Sequence, residues 1–528
     1  MHPNTLIRHS VLFLVAVFVL TNSVFAKTTD ELPAQSGQGQ VLLADKVVET
    51  SYLPLTLKYV SNLNASGVAG MGGSLFVGAS GVVLMDRTGQ FYSVKDKEPI
   101  PLNLKTPSNH ELFLKENPKE KIVAGVINAT SFTFDPVEKK IYAAHNQYLG
   151  ADQVRMLVSS VDFDADALKY GKDQNWTTIF EGPPVTGDTR GTDASAGKVL
   201  LVGRDLFLST GFPGHEDAKS VNGIIDAGSL ALTPPQNVNT LHSKVIKISL
   251  KDNSSEVYAS GQRNSQGMVL TSGGEILSTD HGPQGGDEIN RLRQGANYGH
   301  PIQTYGTRYG TYDYAWPAEL MDKVPKDQKF DLPVFAFVPS IAINPIIEIK
   351  SFNERLKGDL LIGSLKAQSL YRLKYIDGRV IFSEPIWLGH RIRDIYEYQN
   401  KIYLLTDEPY LISLEVDTAK LSANKTKDDK YFLSPTVQSK CMNCHSFDPT
   451  LPSSMAPKLS NIIGKKLGSD TFDRYSAAFK NSGLVWTKEN LAQFLRDPAA
   501  VVPGTSMPKP NLTPDEVNEL VEIIAAYK

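Results

Sequence analysis

Val199-Leu200-Leu201-Val202, Gly203-Arg204-Asp205, Leu206-Phe207-Leu208 is an apolar run, a short polar turn and a second apolar run. Two such runs joined by a turn containing Gly and Asp read as a β-hairpin. The unit recurs five more times. Val83-Leu84-Met85 and Phe91-Tyr92 flank Asp86 to Gly89, and Phe132-Thr133-Phe134 and Ile141-Tyr142 flank Asp135-Pro136. Met268 to Leu270 and Ile276-Leu277 flank Ser272 to Gly274, and Leu360 to Ile362 and Leu370-Tyr371 flank Gly363-Ser364. Ile395-Tyr396 and Ile402 to Leu404 flank Gln399-Asn400. Long helical patterns are missing between these units, which argues against a doubly wound α/β sheet. Repetition of one short-strand unit favours a β-propeller over a sandwich, and six countable units predict six blades.

At 528 residues the chain exceeds what one hydrophobic core usually supports. With 41% apolar and 21% charged residues it has an ordinary globular composition, and a net charge of −3 offers no basic excess for nucleic acid. Residues 1–26 read as a secretory signal peptide: Arg8 precedes an apolar core from Val11 to Leu20, and Val24-Phe25-Ala26 fits the cleavage site. An uncleaved anchor is the alternative. No transmembrane helix is expected after signal cleavage, and the expected location is the periplasm. Residues 27–50 read as an N-terminal leader, 51–418 as the propeller, 419–432 as a linker and 433–528 as a second domain. The linker is marked by the charged run Leu421 to Lys430.

The second domain opens on Cys441-Met442-Asn443-Cys444-His445. C-x-x-C-H is the attachment motif of c-type haem: two thiols form thioethers with the porphyrin, and the adjacent imidazole becomes an axial ligand of the iron. A disulfide or a zinc half-site is the rival, but both cysteines of the chain lie here and no second cluster follows. Further on, Pro503-Gly504-Thr505-Ser506-Met507-Pro508 presents one Met in a polar loop, a candidate sixth ligand whose thioether raises the potential. Thr513-Pro514-Asp515-Glu516 is a capping box with Pro at the first helical position. Val517, Leu520, Val521, Ile524 and Tyr527 then make one apolar helix face.

From Val437 to Lys528 the chain resembles class I cytochrome c, at Ala456-Pro457-Lys458-Leu459, Gly464-Lys465-Lys466, Tyr475-Ser476, Trp486 and Pro503 to Met507. The resemblance implies a small all-α domain. It also implies that the Pro457 carbonyl meets the proximal imidazole, and gives Tyr475 and Trp486 propionate or packing roles.

In the propeller the densest segment is Gly261-Gln262-Arg263-Asn264-Ser265-Gln266-Gly267, followed by His281-Gly282-Pro283-Gln284-Gly285-Gly286-Asp287-Glu288-Ile289-Asn290 and Gly295 to Gly299. Arg263 and Asn264 precede an apolar strand, a common place for a pocket mouth. Asp287 and Glu288 offer hard oxygen ligands suited to Ca²⁺. The bland reading is a blade-to-blade turn with a solvated acidic tip. The segment is similar to the soluble pyrroloquinoline quinone (PQQ) dependent glucose, sorbosone and aldose-sugar dehydrogenases, which are six-bladed propellers. Further matches are Val338 to Ala342, Gly363 to Lys366, Arg391 to Asp394 and Leu404 to Asp407. The resemblance implies that Arg263, Asn264, Ser340, Lys366, Arg391 and Arg393 hold PQQ, with Ca²⁺ bridged by the carbonyls of Gly282 and Pro283. Three Arg and one Lys suit a cofactor with three carboxylates.

One departure concerns chemistry. The family's catalytic His lies in an Asp-His-x-x-Gly-Arg stretch, which here reads Asp193-Ala194-Ser195-Ala196-Gly197-Lys198, and its partner Asp is replaced in Gly211-Phe212. Asp193 is the favoured substitute base and His215 follows, with His145 also near in sequence; Arg263 is the third catalytic candidate. The expected fold is therefore an all-β six-bladed propeller followed by a small all-α cytochrome c domain. The expected function is oxidation of an alcohol or sugar-like substrate at PQQ/Ca²⁺, with electrons passing to haem c and on to a periplasmic cytochrome or oxidase. The alternatives are a non-catalytic ligand-binding propeller fused to a haem carrier, and a Ca²⁺-dependent hydrolase that leaves the haem without a purpose.

Overall fold

The computed structural model describes residues 42–527, apart from 49, 51–52, 71, 118–127, 152, 166, 172–173, 187–196, 212–235, 238–239, 308–325, 420–433, 442–444 and 448–455. The expected signal peptide and linker lie outside the described residues, as do Asp193, Ala194, Phe212, His215 and Cys444.

Six sheets form six blades. Their innermost strands are Ser74–Gly78, Ala129–Asp135, Val199–Val202, Ser265–Leu270, Ile343–Glu348 and Ile392–Tyr398. Each innermost strand contacts the next in this order and the last contacts the first, so the six close a ring around a central channel. Each hairpin unit read from the sequence lies in a different blade. Val199 pairs with Leu208 and Val202 with Asp205, so the turn is Gly203-Arg204, with Gly203 at φ +60°. A positive φ at that position suits glycine.

The chain's early strand completes the last blade: Leu55–Asn62 runs antiparallel to Tyr410–Val416, with Leu57 opposite Leu414. Lys46–Val48, within the stretch expected to be leader, adds an outer strand. Alternation along the strands sends apolar side chains to both blade faces, and neighbouring blades enclose a hydrophobic cluster between them. Val83, Met85 and Phe91 of the first blade pack with Phe132, Ile141 and Phe163 of the second. Leu405 and Leu411 of the sixth pack with Leu75 and Val77 of the first. Each fully buried Leu or Phe contributes about 1.5–3 kcal/mol, so burial holds the ring closed.

The C-terminal part is helical. Its helices include Pro435–Lys440, Lys488–Arg496 and Pro514–Ala526. Thr513 Oγ1 accepts from Glu516 N, and the Glu516 carboxylate accepts from Thr513 N, which is the reciprocal cap expected from the sequence. The face made by Val517, Leu520, Val521, Ile524 and Tyr527 is buried against Val437, Cys441, Phe447 and Leu491. Among the described residues no helix is long and apolar enough to cross a membrane.

Candidate functional site

The starts of the innermost strands converge on a cavity of about 290 Å³ in the channel, to which all six blades contribute. Three of the residues expected to hold the quinone line it: Asn264, Arg391 and Arg393. The two guanidiniums are held by one carboxylate. Arg391 Nε donates to Asp407 Oδ2 at 2.6 Å, and Arg393 donates to both Asp407 oxygens. Two cations sharing one anion leave this wall net positive. Asn264 is fixed by its backbone, because the amides of Arg263 and Asn264 both donate to Asp280, at 2.9 and 2.6 Å. Burial pushes the Asp280 carboxyl up to about 6, although those two amide bonds pull it down.

The other expected residues are placed differently. Lys366 is exposed and outside the cavity lining. Arg263 also lies outside the lining, its guanidinium reaching the His281 carbonyl at 3.4 Å. Ser340 Oγ donates to Asp287 Oδ1 at 2.7 Å. Asp287 accepts further bonds from the amides of Gly282, Ile341 and Ile343, at 3.1, 2.9 and 3.0 Å. This corrects the reading of Asp287 as a Ca²⁺ ligand: its carboxylate is a buried clamp joining two loops. Glu288 is different. Its carboxyl is buried and pushed up to about 8 by desolvation, with Asp280 and Asp287 adding to the rise. Among the described residues the buried Asn290 Oδ1 and Gln262 Oε1 have no hydrogen-bond partner. The carbonyls of Gly282 and Pro283 accept no hydrogen bond from the described residues. Their loop is close-packed, since a Cβ at Gly282 would lie 2.2 Å from the Gly285 carbonyl and one at Gly286 2.4 Å from Gly306 N. These oxygens suit a hard cation.

His145 is excluded as the missing base. It is fully buried, its Nε2 lies 2.9 Å from Ser159 Oγ, and desolvation lowers it to about 4. It is a core histidine of the second blade.

Sequence reasoning missed Arg87, Asn128, Lys198, His281 and Asp394, all of which line the cavity. Lys198 Nζ lies 3.1 Å from Asp394 Oδ1, joining the third and sixth blades across the channel. Asp394 also accepts from Ser74 Oγ and Leu75 N at 2.7 and 2.9 Å, so it ties in the first blade. Their place is regular: Asn128 and Lys198, like Asn264, directly precede the innermost strand of a blade.

In the helical part, His445 Nδ1 donates to the Pro457 carbonyl at 2.6 Å. That fixes the tautomer and leaves Nε2 for a metal, the usual arrangement of a ligating imidazole. Cys441 is buried in the surrounding apolar cluster, and Met507 packs against both hydrophobic clusters of this part. Trp486 and Tyr475 take packing roles around Phe479. A buried cysteine, an oriented imidazole and a core-facing thioether fit a covalently held haem.

Fold and site together define a six-bladed propeller with a cationic channel cavity, fused to a cytochrome c-type domain. The pattern of the glucose/sorbosone dehydrogenases matches residues 125–411, more than half of the chain, and the chain belongs to that family. An aldose sugar dehydrogenase of Escherichia coli (strain K12) is 32% identical over 162 residues, 29% of this chain and 41% of that protein. Cytochrome c2 of Rhodomicrobium vannielii is 44% identical over 71 residues, 13% of this chain and 57% of that protein. The chain thus spans about half the length of these relatives. The crystal structure of the soluble aldose sugar dehydrogenase from Escherichia coli shares the propeller fold: TM-score 0.54 at 17% identity, covering 69% of this chain and 99% of that one.

Proposed function

We propose that the protein is an exported, periplasmic quinohaemoprotein dehydrogenase. It oxidises an alcohol or sugar-like substrate in the propeller cavity and passes the electrons to its own haem, then to a periplasmic cytochrome or oxidase. The observation that carries this reading is the union of two sites in one chain: the cavity wall of Arg391 and Arg393 braced on Asp407, and His445 oriented by Pro457. PQQ, when bound, supplies a two-electron acceptor. Arg391, Arg393 and Asn264 are its candidate holders from the cavity wall, with Arg263, Ser340 and Lys366 beyond the lining. Ca²⁺ has two candidate places, the carbonyls of Gly282 and Pro283 and the buried oxygens around Glu288. Cys441 and Cys444 would hold haem c covalently, His445 and Met507 are the candidate ligands of its iron, and the group would supply a one-electron acceptor.

The catalytic base is open to assignment between Asp193 and His215. A carboxylate or imidazole within hydrogen-bond reach of the alcohol proton typically contributes 10²–10⁴-fold in rate. Asp193→Asn and His215→Ala, assayed by substrate-driven haem reduction, identify it; full rate with an unaltered pH profile in both variants would exclude the pair. A second reading, a ligand-binding propeller without catalysis, is favoured by Ala194 and Phe212 standing where the family has its base pair. Substrate-dependent reduction of the haem separates the two.

A further inference from the structure

Among the described residues Lys198 is the lysine that lines the channel cavity, and the proposed cofactor site does not employ it. It directly precedes the innermost strand of the third blade, Val199–Val202, and its backbone is held on two sides. Its N–H donates to Ser209 Oγ at 3.1 Å, and its carbonyl accepts from Ser209 N at 3.0 Å. The carbonyl of Gly197 accepts from Thr130 Oγ1 and Ser131 Oγ at 2.8 and 2.6 Å, so the second blade fixes where the stem starts. A Cβ at Gly197 would lie 2.2 Å from Thr130 Oγ1. From this anchor the side chain crosses the channel. The third and sixth blades stand opposite each other in the ring of six, and Nζ lies 3.1 Å from Asp394 Oδ1. The ammonium is therefore placed inside the channel, between opposite walls.

The pair presents its cation to the cavity rather than its anion. Asp394 Oδ2 accepts from Ser74 Oγ and Leu75 N at 2.7 and 2.9 Å, and Oδ1 accepts from Ile395 N at 3.1 Å as well as from Lys198. Four donors fill the acceptor sites of the carboxylate. Its side chain is 5% exposed, against 19% for Lys198. An ammonium carries three N–H donors, and among the described residues Asp394 takes one of them. The family stretch has Arg at this place, where a guanidinium could close on the carboxylate with two N–H. Lysine keeps the charge and holds donors in reserve for whatever fills the cavity. Lys366, the lysine that the resemblance assigns to the quinone, lies exposed and outside the lining.

We infer that Lys198 is a further residue of the cofactor site: its ammonium, seated on Asp394, donates to the quinone from inside the channel and favours the reduced, more electron-rich form. The inference rests on the proposed dehydrogenase function and adds a residue to the same site. Its test is calorimetric titration of the full chain with PQQ in the presence of Ca²⁺, together with spectroelectrochemistry of the quinone in the loaded protein. Lys198→Met strips the cation from Asp394, so PQQ should bind roughly 30-fold or more weaker, and the midpoint potential of the bound quinone should fall. Asp394→Asn strips the anion from Lys198, so PQQ should bind at least as tightly as to the wild type, with a raised potential. Lys198→Arg keeps the charge and the bridge and should retain most of the affinity. The opposite signs separate electrostatics from architecture, because a bridge that merely ties two blades fails alike when either end is removed. Weaker PQQ binding in both Lys198→Met and Asp394→Asn would overturn the inference, and Asp394→Asn decides the sign even where Lys198→Met does not fold. Unchanged affinity and potential in Lys198→Met would also overturn it, leaving the dehydrogenase reading intact. A wild-type chain that binds no PQQ would overturn both.

Discussion

Asp407 organises one wall of the channel cavity by holding two guanidiniums on one carboxylate. Arg393→Ala would delete a cation and leave that carboxylate turned toward an anionic cofactor. PQQ affinity should fall by about 30-fold to several-thousand-fold, measured by titration calorimetry; an unchanged affinity would remove Arg393 from the site. In the haem domain, Met507→Ala should lower the potential and admit exogenous ligands to the sixth position, visible in the absorption spectrum and by redox titration. Desolvated histidines make the propeller more sensitive to acid: His145 is fully buried and His242 half-buried. His145 and His242 are each held at about 4 by desolvation, against an ordinary value of 6.5. Between those values these two sites take up protons in the unfolded chain but not in the folded one, so their contribution to stability is fully present above pH 6.5 and is lost as pH falls toward 4. Each contributes roughly 3 kcal/mol across that window. Asp280 and Glu288, raised by burial, act in the opposite sense, so the test is a difference: between pH 6.5 and 4 the urea midpoint of His145→Gln should be less sensitive to acid than the wild type's by about one proton. At this scale the sequence exposed residues whose chemistry is local. His445 and Met507 announce themselves by motif and loop; Pro457 orients the first and the core packs around the second. Asp287 looked like a metal ligand because its four donors come from Gly282 and from a loop more than fifty residues away, which no local pattern reveals.

Each element carries its own signal where its turn and its apolar alternation are contiguous. The six hairpins and the capped final helix were legible for that reason: Gly203 permits its turn, and Thr513 and Glu516 satisfy each other's amides. The strand Leu55–Asn62 has the same alternation, yet its partner lies some 350 residues on, and only the closed ring shows why it is needed. Leu57 on that strand is fully buried against the fifth and sixth blades. Leu57→Ala should cost about 2–5 kcal/mol, read as a lower denaturation midpoint of the propeller with the haem spectrum unaltered. A loss below 1 kcal/mol would mean that closure of the ring does not depend on this strand's core contacts.

For the whole molecule, fusion matters because a tethered acceptor works at an effective concentration that a free cytochrome would need millimolar levels to match. Blade-to-blade bridges such as Lys198 to Asp394 were invisible in the sequence, since ring closure alone brings the third and sixth blades together. The central claim is that one chain both oxidises a substrate and receives its electrons. The most direct measurement is haem absorbance of the purified protein, reconstituted with PQQ and Ca²⁺ and challenged with an alcohol and sugar panel. The account requires substrate-dependent haem reduction that needs PQQ and is abolished by EDTA. A haem that stays oxidised with every substrate, in protein shown to have bound PQQ, would contradict it.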